Sequence, residues 1–176
     1  MPPKAKITKE MVLEAAFQLA REEGMERVSV RAIAKRLGCS TQPVLYCFGS
    51  AEELRQAVFD RADRFHQQCL FADQAGDPML AIGAAYVRFA AQEKQLFRLL
   101  FQSNSLEKAS FADVLNHPDV QPIIDILARA KGLDREAARD RFALRFMAVH
   151  GMASLLANNS MVYDEETVLR LLGQMG

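Results

Sequence analysis

Hydrophobic residues recur along the chain with the 3.6-residue period of an α-helix, and no segment alternates as a half-buried strand does. From Thr8 onward, apolar side chains occupy one face of a first helix that is predicted to end at a left-handed Gly24. Ser29 is placed to cap a second helix and Ser40 a third, with only Gly38 and Cys39 between them. Two short helices joined by a glycine-containing turn predict a helix-turn-helix arrangement.

The same signals divide the remainder of the chain. The spacing of Ser50-Ala-Glu-Glu53 is that of a capping box and predicts a long helix toward Phe71. Asp77-Pro78 begins one or two helices that reach Phe101, and residues 102–110 are predicted to form a loop. Further helices are expected around 111–116, 119–131, 135–157 and 165–172, the last two capped by Asp134 and Asp164. The pattern predicts an all-α fold of about nine helices.

The amino-acid composition limits the classes of protein to which this chain can belong. Of 176 residues, 50% are hydrophobic and 25% are charged, which is typical of a globular protein. We find neither a run of ~18 apolar residues nor a secretion signal, and expect a cytoplasmic location without a membrane partner. Three cysteines without a Cys-x-x-Cys pair argue against disulfides and a structural zinc site, and no metal or cofactor is expected. Residues 1–50 carry eight basic and five acidic side chains, an imbalance that favours a polyanion but also arises by chance.

The predicted third helix has side chains suited to duplex DNA. A helix that enters the major groove end-on presents its first turn to the base edges, here Thr41, Gln42 and Pro43. Gln42 can make a bidentate contact to adenine, and Arg31, in the first turn of the second helix, can reach guanine or a phosphate. Helix-turn-helix geometry also occurs in proteins that never bind nucleic acid, so the pattern alone leaves both interpretations open.

The run from Ser29 to Leu54 resembles the DNA-binding head of the TetR/AcrR family of bacterial regulators. The positions that match the family pattern are Ala34, Leu37, Gly38, Ser40, Phe48, Ser50, Glu52, Glu53 and Leu54. The resemblance covers about residues 8–60, and the segment 150–157 is similar to one in the C-terminal domain of many members. It implies a DNA-binding domain at 1–50, a connecting helix at 51–71 and a ligand-binding and dimerisation domain at 72–176.

By position, the resemblance implies a homodimeric repressor that leaves a palindromic double-stranded operator when a small, mostly apolar effector binds. The DNA-binding residues expected from the resemblance and from the helix starts are Lys6, Thr8, Ser29, Arg31, Ser40, Thr41, Gln42, Pro43, Tyr46 and Ser50. Serines at helix starts are also ordinary caps, and Gln42 can equally be a solvated surface residue.

Two positions depart from the family pattern. Leu45 stands where the family usually has tyrosine, and Tyr46 is shifted by one place, a rotation of about 100° on a helix. Ala51 stands where a lysine is common, and its loss is expected to weaken DNA binding and flatten the salt dependence by roughly one unit of slope. The alternative is a diverged TetR-like protein that serves as a ligand-binding or protein-interaction module with weak or no DNA binding.

The C-terminal part offers weaker assignments. Expected effector-binding residues are Phe89, Phe97, Phe101, His117, Phe142, Phe146 and His150, with Met147 also spaced to point inward. For each of them an ordinary core role is the alternative. The dimer interface is expected from the last two helices, at Phe146, Ala153, Leu156, Val168, Leu169 and Leu172.

An enzyme is not expected. A carboxylate-bridged metal site in a helical bundle needs two Glu-x-x-His pairs, and the nearest match is a single Asp63-x-x-His66. His66 and Cys69 could share a helix face, but two ligands are too few for a metal.

Overall fold

The computed structural model describes residues 7–72, 76–103 and 110–175, and all regular secondary structure within these ranges is helical. The ten α-helices of the described ranges are Lys9–Glu23 (α1), Val30–Leu37 (α2), Thr41–Cys47 (α3), Ala51–Leu70 (α4), Pro78–Gln92 (α5), Lys94–Phe101 (α6), Phe111–Asn116 (α7), Gln121–Lys131 (α8), Arg135–Ala157 (α9) and Glu165–Gln174 (α10). A 3-10 turn at Met25–Arg27 connects α1 to α2. The predicted all-α fold class is confirmed.

Most helices begin where the capping residues predict. Thr8, Ser29, Asp134 and Asp164 each accept a hydrogen bond from the backbone N–H three residues later. Asp77 accepts from the first-turn amides of α5, as expected for an N-cap before proline. Because side-chain caps of this kind each contribute about 0.5–2 kcal/mol, short local motifs define much of the helical boundary.

Three boundaries differ in detail from the prediction. Ser50 accepts from the N–H of Glu53, but the Glu53 carboxylate accepts from the N–H of Gly49 at 2.7 Å instead of that of Ser50. Ser40 begins α3 without a capping hydrogen bond from its side chain. Gly24 ends α1 at φ 98° and ψ 158°, outside the left-handed helical region, and an added Cβ would lie 2.5 Å from the Glu26 carboxylate.

One continuous interior connects the two ends of the chain. Helices α1, α2 and α3 pack together as a unit called the head here, and α1 also packs against α4 and α6. Helix α5 contacts α4, α6, α9 and α10, so it lies at the centre of the larger C-terminal part. The main buried cluster extends from Val12 to Leu172, and a smaller one around Ile124, Leu127 and Phe142 joins α8 to α9.

Candidate nucleic-acid interface

The turn between α2 and α3 depends on Gly38. Its backbone lies in the left-handed region, at φ 64° and ψ 32°, where a side chain would be strained. The N–H of Cys39 donates to the carbonyl oxygen of Ala34 at 3.0 Å and closes the end of α2. The chain therefore passes from α2 into α3 within three residues, and α3 packs against both α1 and α2.

Helix α3 is anchored by one apolar side and exposed on the other. Val44 is buried, and so is Phe48, which follows the helix. Thr41 and Gln42 are exposed at its start. Leu45 and Tyr46 are 57% and 79% exposed, which is unusually high for large side chains. This exposed side of α3 offers both polar and apolar groups to a partner.

Gln42 and Tyr46 are joined on the surface of α3. The side-chain amide of Gln42 donates a hydrogen bond to the phenol oxygen of Tyr46 at 2.9 Å. Residues four apart share a helix face, so the one-place shift of tyrosine brings its ring beside the residue expected to contact a base. The bond places the Gln42 amide beside the Tyr46 phenol on the exposed side of α3.

The beginnings of α1 and α4 meet close to the end of α3. The ammonium of Lys9 forms an ion pair with Glu53 at 2.7 Å and lies 4.6 Å from the centroid of the Phe48 ring. The hydrogen bond from Lys9 and that from the Gly49 amide lower the pKa of the Glu53 carboxyl, which therefore stays ionised. Thr8 and Ser50, which cap these two helices, thereby belong to one region of the surface.

The remaining predicted DNA-binding residues are mostly accessible. Ser29, Ser40 and Arg31 are exposed, and within the described ranges no carboxylate lies within 4 Å of the Arg31 guanidinium. Pro43 is half-buried in α3, and Ala51 is exposed at the first position of α4. Lys6 lies outside the described residues. The assignment of all these residues to DNA contacts stays a prediction.

Aromatic and imidazole rings from four helices form one cluster in the C-terminal part. The aromatic cluster consists of His66, Tyr86, Phe89, Phe97, Phe101, Phe146 and His150. The His66 ring lies 4.8 Å from that of Phe89 and 5.1 Å from that of Phe101. The phenol oxygen of Tyr86 is 2.9 Å from Nδ1 of His150. The structure thus brings together five of the seven residues expected to bind an effector.

His66 and Tyr86 join this cluster although sequence reasoning did not assign them to it. Burial lowers the pKa of His66 to about 4, so its imidazole is neutral near pH 7, and its Nε2 has no hydrogen-bond partner within the described residues. Burial raises the pKa of the Tyr86 phenol far above its usual range. The sequence did offer one signal for Tyr86: it lies three residues before Phe89, a spacing that puts both rings on the same face of a helix.

Two expected effector residues lie apart from the aromatic cluster. Phe142 belongs to the smaller hydrophobic cluster and reaches the aromatic one only by stacking on Phe146, with centroids 5.8 Å apart. His117 is exposed between α7 and α8, where its Nδ1 lies 3.5 Å from the Asp119 carboxylate. We therefore exclude His117 from the proposed effector site. Within the described ranges no three His, Cys, Asp or Glu residues are close enough to hold a metal ion.

The residues expected at the dimer interface require correction. Ala153, Leu156, Val168 and Leu172 are buried within the protomer, because these sides of α9 and α10 cover its own α5 and neighbouring core. Phe146 is half-buried in the aromatic cluster, and only Leu169 of this set is exposed. Met147, expected to point inward, is half exposed instead.

Another side of α9 carries the apolar surface. Its exposed residues Leu144, Met147, Gly151 and Leu155 are spaced as one helical stripe. Together with Leu169 of α10 they are called the α9 face here. Leu144 is 67% exposed, and no neighbouring element of the described chain covers it.

An N-terminal helix-turn-helix unit attached to a larger helical domain is the architecture of a bacterial transcriptional regulator. Residues 12–58 match the family model for bacterial regulatory proteins of the tetR family. Residues 79–174, more than half of the chain, match the model for the tetracyclin repressor-like C-terminal domain. The chain belongs to the TetR family.

A curated relative matches part of the chain. The HTH-type transcriptional repressor DrrR1 of Streptomyces coeruleorubidus is 37% identical over 62 residues. This segment is 35% of the present chain and only 23% of the relative, so the similarity extends over a limited part of that protein.

Solved structures share the whole fold. A TetR-like transcriptional regulator from Rhodococcus sp. RHA1 superposes with a TM-score of 0.67 at 16% identity, covering 99% of this chain and 96% of its own. The multidrug binding protein EbrR, in complex with ethidium, gives a TM-score of 0.54 at 16% identity with full coverage of both chains. Within the described residues no helix has the length and apolar character needed to cross a membrane.

Proposed function

We propose that this protein is a dimeric repressor that binds a palindromic operator through α3 and is released by a small, mostly apolar effector in the bacterial cytoplasm. The exposed side of α3, anchored by buried Val44 and Phe48, is the observation that carries the proposal. The similarity to a relative named as a repressor supports the sign of regulation. A dimer seated on a promoter represses by excluding polymerase. No catalytic step is part of the proposal.

On the operator, Thr41, Gln42 and Pro43 at the start of α3 contact base edges, together with Arg31. The phosphate contacts come from the helix starts and from α3, at Lys6, Thr8, Ser29, Ser40, Tyr46 and Ser50. Because Ser40 makes no capping hydrogen bond, its hydroxyl is available to a phosphate oxygen. Tyr46, held by Gln42, adds its ring edge to this surface.

The α9 face supplies the dimer contact. Its exposed leucines and methionine form a stripe that a monomer would leave in water, which is costly at about 25 cal/mol per Å². A two-fold axis through this face would place the heads of the two protomers on the same side of the dimer. Two heads that contact half-sites about 34–36 Å apart multiply affinity and discrimination.

The aromatic cluster is the proposed effector site. It consists of five aromatic rings and two imidazoles, and burial lowers the pKa of both imidazoles. It therefore favours an apolar or aromatic ligand. EbrR, a fold relative, is described as a multidrug binding protein in complex with ethidium, which supports a small-molecule site in this chain. His66 belongs to α4, the helix that also packs against α1 of the head. A ligand that separates these rings therefore moves α4 relative to the head.

Selection of bound fragments from random duplexes tests the proposal most directly. We expect a palindromic consensus whose half-site spacing matches one helical turn, with retention that falls steeply as salt rises. Transcription from the selected promoter should decrease when the protein is added. Binding without any sequence preference, or no retention at low salt, would favour the diverged interaction module instead.

The dimer is tested separately. Met147→Glu places a charge in the α9 face and is expected to make the protein monomeric in analytical ultracentrifugation. Glu136→Gln, an exposed change at the start of the same helix, is the matched control and should leave the dimer intact. A wild-type protein that is monomeric at micromolar concentration would overturn this part of the proposal.

A further inference from the structure

Helix α9 also carries a buried arginine that neither the head nor the aromatic cluster uses. Arg145 is only 8% exposed, although arginine is almost never this buried without a paired acid. Its Nη2 donates to the carbonyl oxygen of Met79 at 3.2 Å. Its buried Nε has no hydrogen-bond acceptor within the described residues. Part of this guanidinium is therefore left with an unused donor.

The charge of Arg145 is also not compensated nearby. Within the described ranges no carboxylate lies within 4 Å of it. Asp77 is the acidic group whose field reaches it, but that carboxylate accepts hydrogen bonds from the first-turn amides of α5. Burial lowers the pKa of Arg145, and the neighbouring Arg141 adds to the positive potential. A buried cation in such surroundings attracts an anion.

Arg145 lines a cavity of about 490 Å³ between α9, the connection that precedes it and the C-terminal end of α10. The other lining residues are Leu133, Ala137, Arg141, Leu144, Ala148 and Met175. This cavity, called the Arg145 pocket here, shares no residue with the aromatic cluster. Its size is that of small-molecule sites, which combine apolar walls with a few oriented polar groups.

We propose that the Arg145 pocket binds a small amphipathic carboxylate, with the carboxylate on Arg145 and the apolar body against the walls of the pocket. A planar guanidinium matches the two oxygens of a carboxylate, and the buried Nε–H, which has no acceptor in the observed rotamer, gains one when the side chain turns toward the ligand. The wall offers leucine, alanine and methionine carbon to the rest of the ligand. Because Leu144 also belongs to the α9 face, the ligand would lie at the edge of the dimer contact.

Decanoate is a suitable probe, and its binding to the full chain is measured by calorimetry without DNA. The comparison compounds are 1-decanol and decyltrimethylammonium, which have the same chain but a neutral or cationic end. We expect decanoate to bind at least tenfold more tightly than either, because a charge-assisted hydrogen bond is lost in both. Octanoate should bind about tenfold more weakly than decanoate, as expected for two fewer buried methylenes.

Variants assign the binding to Arg145. Arg145→Met should weaken decanoate binding by about 10- to 100-fold, and Arg64→Met, which removes an exposed arginine of α4, should not change it. If Arg145→Met does not fold, Ala137→Trp fills the rim of the pocket while retaining the charge, and should abolish decanoate binding.

Three results would overturn the proposal. One is equal binding of the three decyl compounds, and another is unchanged decanoate binding by Arg145→Met or by Ala137→Trp. The third is a combined result: the wild type does not bind decanoate, and Arg145→Met makes the dimer dissociate. Arg145 would then pair with a carboxylate of the second copy and not with a ligand. None of these outcomes depends on DNA binding, so the proposal can fail while the regulator function stands.

Discussion

The head and the C-terminal part place the large side chains of their proposed binding surfaces differently. In the head, Leu45 and Tyr46 lie on the surface, and the core combines Ile33 and Val44 with the separate rings of Phe17 and Phe48. In the C-terminal part, rings such as Phe89 and Phe97 are both the core and the proposed effector site. A change on the α3 surface should therefore affect binding alone, whereas a change in the aromatic cluster should affect stability and effector binding together.

Phe97→Ala should produce the largest effect. The ring is fully buried and lies 5.0 Å from that of Phe101 and 5.7 Å from that of Tyr86. We expect the free energy of unfolding to fall by about 3–5 kcal/mol in urea titrations, since a large cavity would remain. Phe111→Ala, at a residue that is 44% exposed, is the control and should cost less than about 1 kcal/mol. Equal losses would mean that the cluster is loosely packed.

His66 should make the stability of the C-terminal part depend on pH. Its pKa is about 4 in the folded protein and 6.5 in the unfolded chain, so the unfolded state binds more protons between these values. The contribution of neutral His66 to the free energy of unfolding is fully present above pH 6.5. It is lost as the pH falls toward 4, by roughly 3 kcal/mol in all.

His66→Phe separates this contribution from others. The variant should show a smaller loss of unfolding free energy between pH 7 and pH 4 than the wild type, in urea titrations at each pH. His117→Gln, at an exposed imidazole, should behave like the wild type. An unchanged pH profile in His66→Phe would show that solvent reaches His66 in the folded protein.

The fold of the head could be predicted because its determinants are local. Ser29 accepts from an amide three residues away, and Gly38 turns the chain by its own backbone conformation. Both are properties of a few consecutive residues. The match to a family pattern adds the expected roles of these positions, and the structure then shows which of them are exposed.

The sequence alone did not separate interior from exposed residues in the C-terminal part where one pattern serves two surfaces. Helix α9 has apolar residues both on the side that covers the protomer and on the side that is exposed. Ala153 and Met147 each belong to a row of apolar residues with helical spacing, so the pattern does not tell the buried row from the exposed one. Only the packing of α5 and α10 against α9 decides which row is interior. His66 and Tyr86 meet through contacts between different helices, which periodicity along one helix does not reveal.

Gln42→Ala tests the claim that a change on the exposed side of α3 affects DNA binding and not stability. We expect a loss of about 1–3 kcal/mol in binding to the preferred operator, with relaxed preference at one base pair, in competition with single-base operator variants. The free energy of unfolding should change by less than about 0.5 kcal/mol, as expected at an exposed site. Gln56→Ala, an exposed change on α4, is the matched control.

Tyr46→Phe adds information about the same pair. It removes the acceptor of the Gln42 hydrogen bond but keeps the ring. If the bond orients the Gln42 amide, this variant should lose part of the same base preference. An equal loss on every sequence would instead reflect only the proposed phosphate contact of Tyr46, and would show that the hydrogen bond does not set the base preference of Gln42.

Ala51→Lys should give the smallest change, in the favourable direction. The exposed first position of α4 lies beside Ser50, in the region where the family commonly has a lysine, and Lys9 there is already paired with Glu53. A restored phosphate contact should tighten operator binding at low salt and steepen the dependence of log affinity on log salt by roughly one unit. Gln56→Lys adds the same charge farther along the helix and should change the slope less. If the two variants give the same slope, the gain reflects net charge alone, and the start of α4 does not contact a phosphate.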